Sequence, residues 1–281
     1  MFDQGLAEKA GETLHRVRER RPLVHCITNY VTMNYTANAL LAVGASPVMA
    51  HAEEEVEEMV ALAQALVLNL GTLTQARVEA MAKAGREANK RRLPIVLDPV
   101  GAGATTLRSR SARKLMEDLS IQVIRGNPSE ILSLCRGEAK PKGVETMHTV
   151  DESAQAALKL AQDYHAILAV SGPVDLVTDG RRVYKVHNGH PMMGYMTGAG
   201  CTATAVIASF LAAGSETHQA AAAALSCLGL AAETAAKASN GPGTFQIRLL
   251  DALYHMREGD LKQGARIEIA RGAELISDQN R

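Results

Sequence analysis

Two apolar stretches, ALVLN at residues 65–69 and IVLDP at residues 95–99, lie on either side of a helix-like segment at residues 75–91. Each stretch is almost continuously apolar and ends on polar residues or proline, which is typical of a strand buried on both faces. A strand, a helix and a second strand in this order form the unit from which parallel sheets are built. The two stretches therefore predict an α/β fold.

The same alternation extends over most of the 281 residues. Further strands are predicted at residues 23–28, 46–50, 123–127 and 167–171, with helices at residues 33–43, 53–63, 108–119 and 151–164. Later helices are predicted at residues 201–213, 217–239, 245–257 and from about residue 265. No low-complexity linker divides the chain. We therefore expect a single domain over residues 1–281, with a mostly parallel sheet covered by helices on both faces.

One part of the sheet is predicted to be antiparallel. Two short apolar runs, residues 176–178 and 182–187, flank Asp179-Gly180. This dipeptide suits a tight hairpin turn. We therefore predict an antiparallel hairpin at the edge of the sheet.

The composition narrows the class of partner. Apolar residues make up 47% of the chain and the formal net charge is zero, so neither nucleic acid nor an anionic membrane is favoured. The four cysteines form no C-x-x-C pair, so a zinc site or a disulfide framework is not indicated. The sequence shows no signal-peptide pattern and no run of ~18 apolar residues. We expect a soluble, cytoplasmic protein that acts on a small molecule.

Ligands of open parallel sheets bind at the carboxyl ends of the strands. Polar residues follow the predicted strands at these ends, namely Asn29, Asn69, Asp98, Arg125, Asn127, Glu130 and Ser171. We expect them to converge on one edge of the sheet.

A glycine-rich turn, MTGAGCTAT at residues 196–204, runs into an alanine-rich helix. Gly198 and Gly200 allow the backbone to approach a ligand closely, and the free N–H groups at the start of the helix can hold an anion. Cys201 lies at the junction and is a candidate reactive group. Alternatively, the glycines only precede a helix and Cys201 is a small core residue.

Three charged residues at the strand ends fit phosphoryl transfer. Arg125 supplies a cation for phosphate oxygens, whereas Asp98 and Glu130 supply carboxylates for Mg²⁺ and its waters. Two structural alternatives remain. Asp98 can be a buried helix cap, and Asn127 with Glu130 can form the capping box of an ordinary helix. The sequence lacks a P-loop, and no G-x-G-x-x-G follows its first strand, so a kinase that holds its nucleotide differently is the leading class.

Six motifs carry a resemblance to a known family. They are HCITNYV at residues 25–31, GASPVM at 44–49, LDPVGAG at 97–103, RGNPSEI at 125–131, TGAGC at 197–201 and GPGTF at 241–245. In this order they resemble the hydroxyethylthiazole kinases, thiamine-salvage members of the ribokinase-like superfamily, from residue 22 to about 257. The resemblance implies a ribokinase-like three-layer αβα fold with a mostly parallel sheet.

The resemblance also implies an activity, which is the ATP- and Mg²⁺-dependent phosphorylation of the hydroxyl of 4-methyl-5-(2-hydroxyethyl)thiazole. It assigns nucleotide contacts to Arg125 and Ser171, thiazole contacts to Met49 and Gly198, and metal binding to Asp98 and Glu130. We group Asn127 with the nucleotide contacts and Asn29 with the thiazole contacts, although Asn29 can instead close a turn. The family forms trimers with sites between subunits, so Met49 is expected to reach a neighbour's pocket, although a methionine at a strand end is often a core residue.

Cys201 lies where sugar kinases of the superfamily place an aspartate base. A free thiol has a pKa of roughly 8.5, against roughly 3.9 for aspartate. A loose phosphoryl transition state requires little early deprotonation. We therefore expect Cys201 to orient or weakly accept from the hydroxyl, with Gly198 and Gly200 as its catalytic neighbours and with electrostatics supplying most of the rate.

Three other functions remain as alternatives. The first is a ribokinase-like kinase for another small alcohol, a hydroxymethylpyrimidine or a sugar, against which Cys201 and Met49 argue. The second is an ATP-dependent dehydratase of hydrated nicotinamide nucleotides, which would yield NADH instead of a phosphorylated alcohol. The third is a non-catalytic nucleotide-binding module, which requires that the carboxylates be dispensable.

Overall fold

A computed structural model describes residues 1–135 and 150–271 of the chain. Its strands are β1 (Leu23–Ile27), β2 (Ser46–Val48), β3 (Ala65–Asn69), β4 (Ile95–Asp98), β5 (Val123–Gly126), β6 (Ile167–Val170), β7 (Asp175–Thr178), β8 (Arg182–Val186) and β9 (Ile267–Arg271). All nine belong to one sheet with the order β2-β1-β3-β4-β5-β6-β7-β8-β9. The pairs from β2 to β6 are parallel and those from β6 to β9 are antiparallel. The prediction of a mostly parallel sheet with an antiparallel hairpin is confirmed.

The helices are α1 (Gln4–Arg20), α2 (Met33–Val43), α3 (Val56–Leu62), α4 (Gln75–Lys90), α5 (Thr106–Asp118), α6 (Pro128–Cys135), α7 (Val150–Tyr164), α8 (Ala199–Ala212), α9 (Thr217–Lys237), α10 (Pro242–His255) and α11 (Glu258–Gly264), with a 3-10 turn at Pro191–Tyr195. Most predicted elements end within a few residues of these bounds. None of the helices within the described residues is long and apolar enough to span a membrane.

The sheet lies between two hydrophobic cores because successive strand side chains point to opposite faces. In β4, Val96 packs into the core formed with α1, α2 and α8 to α10. Its neighbours Ile95 and Leu97 pack into the other core, formed with α3 to α7. All three side chains are fully buried. This arrangement is the three-layer αβα architecture, and it explains why the strands are apolar on both faces.

The predicted helix from about residue 265 is wrong within the described residues; the remainder of that prediction, beyond residue 271, lies outside them. Residues 258–264 form α11, and Ile267–Arg271 form β9, which pairs antiparallel with β8. The physical reason is burial on both faces of a strand, since Ile267 and Ala270, three residues apart, are buried in the two opposite cores. Completing the edge of β8 overrides any local helical preference.

The first helix, α1, is absent from the sequence-based predictions. Its start is fixed by Asp3, whose carboxylate accepts a hydrogen bond from the Leu6 N–H at 2.8 Å. Leu6, Ala10 and Leu14 recur at helical spacing and are buried in the core that α1 shares with α8 to α10. Both signals are present in the sequence, so α1 is predictable without knowledge of the tertiary structure.

Candidate active site

The carboxyl ends of the central parallel strands bring the predicted polar residues together. Asn29 follows β1, Asn69 ends β3 and Asp98 ends β4. Their side chains form a chain of hydrogen bonds across the sheet, since Asn29 Nδ2 donates to Asn69 Oδ1 at 2.9 Å and Asn69 Nδ2 donates to Asp98 Oδ2 at 2.8 Å. All three side chains are buried. Their convergence makes this edge of the sheet the candidate active site.

The orientation of Asn29 is fixed from its other end. Its Oδ1 accepts hydrogen bonds from the backbone N–H of Thr32 at 3.0 Å and from the Thr32 hydroxyl at 3.1 Å. Asn69 Oδ1 also accepts from the Gly71 N–H at 3.0 Å. Asn29 therefore does close a turn, as the structural alternative proposed, while its amide N–H groups point across the site.

Asp98 has one oxygen in use and one free. Its Oδ2 accepts from Asn69 and from the Thr204 hydroxyl, the latter at 2.8 Å. Its Oδ1 is buried and has no hydrogen-bond partner among the described residues. A buried carboxylate oxygen without a partner is costly unless it faces a ligand. Asp98 is therefore not the helix cap of the structural alternative, because its hydrogen bonds come from side chains and Thr105 caps α5.

Burial raises the pKa of Asp98 to about 6, and the nearby charge of Glu130 also raises it. The positive charge of Arg125 and the hydrogen bonds from Thr204 and Asn69 lower it, but less strongly than burial raises it. Asp98 is thus ionised at neutral pH and becomes protonated in mildly acidic solution. Groups with such shifted pKa values at strand ends are typical of functional sites.

Cys201 lies in the first turn of α8, against the two asparagines. Its Sγ is 3.2 Å from Asn29 Nδ2 and 3.3 Å from Asn69 Nδ2. Burial and the negative charge of Asp98 raise the pKa of the thiol, although the amide donors and Thr32 oppose that rise. Cys201 is therefore a neutral thiol at neutral pH. The prediction of a small core residue is wrong in one respect, since its sulfur contacts polar site residues.

The glycine turn is shaped by two close approaches. Gly198 has a φ of +93°, a left-handed conformation that favours glycine, and a Cβ at this position would lie 2.7 Å from Thr32 Cγ2. A Cβ at Gly200 would overlap the guanidinium of Arg125. Gly198 is the N-cap of α8 and provides no side-chain cap. The first N–H groups of α8 are therefore left for an anion beside Arg125.

Arg125 lies in β5 and donates a hydrogen bond to the hydroxyl of Ser171, which follows β6. Its Nε is buried and has no hydrogen-bond partner among the described residues. Asp175, at the start of β7, accepts from the Gly172 N–H at 2.8 Å and holds the turn after Ser171. Asp175 is not among the site residues predicted from the sequence. Arg125, Ser171 and the start of α8 thus form one electropositive surface.

Asn127 and Glu130 form the capping box that the sequence predicts at the start of α6. Glu130 N–H donates to Asn127 Oδ1 at 2.9 Å, and Glu130 Oε2 accepts from Asn127 N–H at 2.8 Å. Glu130 Oε1 accepts from the Gly101 N–H at 2.8 Å, which ties α6 to the loop after β4. The carboxylate therefore has a structural role, and its negative charge also raises the pKa of Asp98.

Met49 follows β2 at the edge of the sheet and is only partly buried. It packs against the core shared with α8 to α10, and its carbonyl accepts from His51 at 3.0 Å. Within the part of the chain that the structure describes, no hydrogen bond joins Met49 to the chain of Asn29, Asn69 and Asp98. Among the described residues, no cluster of three or more His, Cys, Asp or Glu side chains is arranged to hold a metal ion.

Besides Asp175, two contributors were given no role in the site from the sequence. Thr204 was treated as part of an apolar helix, although its spacing of three from Cys201 places both residues on one helix face. Asn69 was noted only as a strand end, whereas the structure makes it the link between Asp98 and Cys201. Only the pairing of β3 with β1 and β4 shows that link.

The comparisons with known proteins agree with this geometry. A family model described as the hydroxyethylthiazole kinase family matches residues 14–259. Relatives named hydroxyethylthiazole kinase from Desulfotalea psychrophila and Chloroflexus aurantiacus are 54% and 52% identical. The alignments cover 92% and 95% of this chain and 95% and 99% of theirs.

The solved structures agree as well. A hydroxyethylthiazole kinase protein from Pyrococcus horikoshii matches with a TM-score of 0.87 and 44% identity, covering 94% of this chain and 99% of that chain. A pyridoxal kinase from Staphylococcus aureus, in complex with AMP-PCP and pyridoxal, matches with a TM-score of 0.63 at 16% identity, covering 89% and 98%. The second match supports the ribokinase-like fold alone. The resemblance inferred from six short motifs is confirmed, and the chain belongs to the hydroxyethylthiazole kinase family.

Proposed function

We propose that this chain transfers the γ-phosphoryl group of ATP to the hydroxyl of 4-methyl-5-(2-hydroxyethyl)thiazole. The hydroxyl oxygen forms a bond to the γ-phosphorus as the bond to ADP breaks, and the hydroxyl proton is released to solvent. The observation that carries the proposal is the convergence of a buried carboxylate with a free oxygen, Asp98, and the uncapped start of α8 in a chain of this family. Membership of the family favours this alcohol over a hydroxymethylpyrimidine, a sugar or a hydrated nicotinamide nucleotide.

The nucleotide end of the site is assigned to the electropositive surface around Arg125. A guanidinium can bind phosphate oxygens in a bidentate manner, and the N–H groups of a helix start add further donors. Arg125 is held by Ser171, and Gly200 leaves room for its guanidinium. Asn127 is a weaker candidate for a nucleotide contact, since its side-chain oxygen already caps α6.

The residues present fit a magnesium ion. The free Oδ1 of Asp98 is an orphaned, buried, hard oxygen donor, and Glu130 places a second carboxylate near it. Mg²⁺ is commonly held by one or two carboxylates together with waters and substrate phosphates. Asp98 and Glu130 would hold the ion, which when bound neutralises charge on the phosphates. The capping hydrogen bonds of Glu130 fix the direction of its carboxylate.

Cys201 is assigned to orientation of the substrate hydroxyl. A neutral thiol with a raised pKa has little capacity to accept a proton at neutral pH. The amide N–H groups of Asn29 and Asn69, together with Asp98, surround the sulfur and define where a hydroxyl can lie. Catalysis then rests on positioning and fixed charges, which supply most of the rate in phosphoryl transfer.

We also propose a homotrimer in which Met49 completes the thiazole site of a neighbouring subunit. The position of Met49 supports this assembly, because it follows the edge strand β2. The exposure of Tyr30 and Val31 beside the site, 68% and 67%, also supports it. Exposed apolar residues next to a ligand site favour a protein partner. Light scattering of the purified protein tests the trimer.

One sheet that contains every described strand supports a single kinase domain.

The function is tested by a coupled ADP-release assay with ATP, Mg²⁺ and a panel of alcohols that includes the thiazole, a hydroxymethylpyrimidine, pyridoxal and ribose. We expect turnover that depends on the thiazole. Strong turnover on another alcohol without turnover on the thiazole would contradict the proposal.

A further inference from the structure

The loop after β2 is held by a histidine that bridges the exits of two strands. His51 Nδ1 is 3.0 Å from the Met49 carbonyl oxygen, and His51 Nε2 is 3.2 Å from the Thr28 backbone nitrogen and 3.1 Å from the Thr28 carbonyl oxygen. A carbonyl only accepts, so Nδ1 carries a proton and donates it to Met49. In the neutral imidazole, Nε2 is therefore without a proton and accepts from the Thr28 N–H. Neutral His51 is thus the Nδ1–H tautomer.

A second histidine holds the adjacent carbonyl of the same loop. His25 lies in β1 and is fully buried, and its Nε2 is 2.8 Å from the Ala50 carbonyl oxygen. Because a carbonyl only accepts, His25 Nε2 is the donor. The carbonyls of residues 49 and 50 are thus each bound by an imidazole N–H. The loop after β2 is fastened directly to β1 by His25 and, through the His51 ring, to Thr28 at the exit of β1.

The charges around His51 favour its neutral form. Arg77 from α4 donates to the Thr28 carbonyl and lies over the Tyr30 ring, with its Cζ 4.2 Å from the ring centroid. Burial, followed by the charge of Arg77, lowers the pKa of His51, whereas the backbone hydrogen bonds with Thr28 and Met49 and the charge of Glu55 raise it less strongly. His25 is also buried, with a pKa lowered by the same cause. A proton on His51 Nε2 would replace the acceptor of the Thr28 N–H with a donor to the Thr28 carbonyl, which Arg77 already binds, and would add a cation beside Arg77.

We propose that His51 is a positioning residue for the thiazole end of the site. It joins the exit of β1, at Thr28, to the exit of β2, at Met49. The next residue after Thr28 is Asn29, whose Nδ2 is 3.2 Å from Cys201 Sγ. Neutral His51 thereby sets the separation of Met49 from Asn29 and acts through the backbone without touching the substrate. This inference rests on the proposed function in one respect, because it takes the thiazole as the ligand that binds at this end of the site.

The first experiment measures the imidazole itself. Long-range ¹H–¹⁵N NMR of the full-length protein with labelled histidine, assigned by comparison with His51→Phe, reports which ring nitrogen carries the proton. We expect the Nδ1–H form of His51 at pH 7.5 and a titration midpoint below 6.5. The Nε2–H form, or a midpoint at or above 6.5, would overturn the proposal. This result does not depend on which alcohol the enzyme phosphorylates.

The second experiment measures ligand affinity by calorimetry. His51→Phe keeps a ring of similar size but removes both hydrogen bonds, and we expect the Kd of the thiazole to rise about tenfold while the Kd of ATP stays within about twofold. His51→Gln places an amide oxygen near the Nε2 position and should recover part of the thiazole affinity. His255→Phe, at an exposed position near the end of α10, is the matched control and should change neither value.

Two results of the calorimetry would contradict the positioning role. One is an unchanged thiazole Kd in His51→Phe, and the other is an equal loss of ATP affinity, which would indicate a general structural defect. If the wild-type protein binds ATP but not the thiazole, the proposed function fails, while the NMR result still decides whether the imidazole bridges the two strands in the stated form.

Discussion

The two ends of the site are built in different ways. The proposed phosphate end lies at the middle of the sheet, where β4, β5 and β6 deliver Asp98, Arg125 and Ser171 and where side chains are fixed by hydrogen bonds within one chain. The proposed thiazole end lies at the β1 and β2 edge, where Tyr30 and Val31 are largely exposed. In the proposed trimer, the charged side chains would come from one subunit, whereas recognition of the alcohol would depend on an edge that a neighbour covers.

This difference makes a separable prediction for each end. Changes at the phosphate end should lower turnover and nucleotide affinity but spare the affinity for the thiazole. The variants below are ordered from the largest expected effect to the smallest.

Asp98→Asn should have the largest effect, because it removes the buried charge that faces the phosphates. We expect kcat to fall about 10³-fold, the scale of a lost electrostatic contact in a buried site, with the thiazole Kd unchanged. Steady-state kinetics and calorimetry check this. Asp118→Asn, at the exposed end of α5, is the control. A loss of less than tenfold would show that Asp98 is not part of the charged machinery.

The same variant should be more stable than the wild type at neutral pH. Burial raises the pKa of Asp98 from 3.8 to about 6, so ionising it costs the folded state free energy above pH 6, and this cost disappears below about pH 4. Asp98→Asn should raise the free energy of unfolding at pH 7.5 by up to about 3 kcal/mol. Wild-type kcat should fall as the pH drops through 6. Urea unfolding at pH 7.5 and pH 4 measures the difference.

Gly200→Ala should have the next largest effect. Its Cβ would overlap the guanidinium of Arg125 and displace it from the start of α8. We expect kcat/KM for ATP to fall about 10²-fold, since an orienting cation is moved. Gly243→Ala is the matched control, because it is also in the first turn of a helix but has open space around it. Equal kinetics for both variants would place Arg125 away from the nucleotide.

Asn69→Leu tests the junction of the two ends. It removes one N–H donor to Cys201 and one to Asp98, so the pKa of each group should rise further. We expect turnover to fall about tenfold. Alkylation of Cys201 by iodoacetamide, followed by peptide mass spectrometry across a pH series, should show its midpoint shifted upward. Asn38→Leu, exposed on α2, is the control. A midpoint that shifts downward would contradict the donor role of Asn69.

Asp175→Asn should have the smallest effect. Its amide oxygen can still accept from the Gly172 N–H, so the turn that holds Ser171 remains. Burial raises the pKa of Asp175 to about 6, so in the wild type this group gains a proton as the pH falls through 6. We expect a change of no more than about twofold in the KM for ATP at pH 7.5. A tenfold change would show that the carboxylate charge itself supports Arg125.

The sequence predicts much of the proposed phosphate end and little of the proposed thiazole end. The first depends on strand ends and local caps, whereas the second depends on contacts between distant parts of the chain. Parallel strands place their carboxyl ends together, so Asp98, Arg125 and Ser171 could be grouped from periodicity alone. The capping box of Asn127 and Glu130 is local and was also predictable. The contacts of His51 depend on pairing between strands that are separated by α2. They require the folded chain, as does the chain from Thr204 through Asp98 to Asn69.

The proposed function requires that Asp98 and its neighbours promote transfer of the γ-phosphoryl group from ATP to the thiazole alcohol. The most direct test is ³¹P NMR with mass spectrometry of the products formed from ATP and the thiazole. We predict one thiazole phosphate monoester for each ADP, with almost none formed by Asp98→Asn. ADP and free phosphate beside unmodified thiazole, or equal ester formation by the variant, would contradict the account.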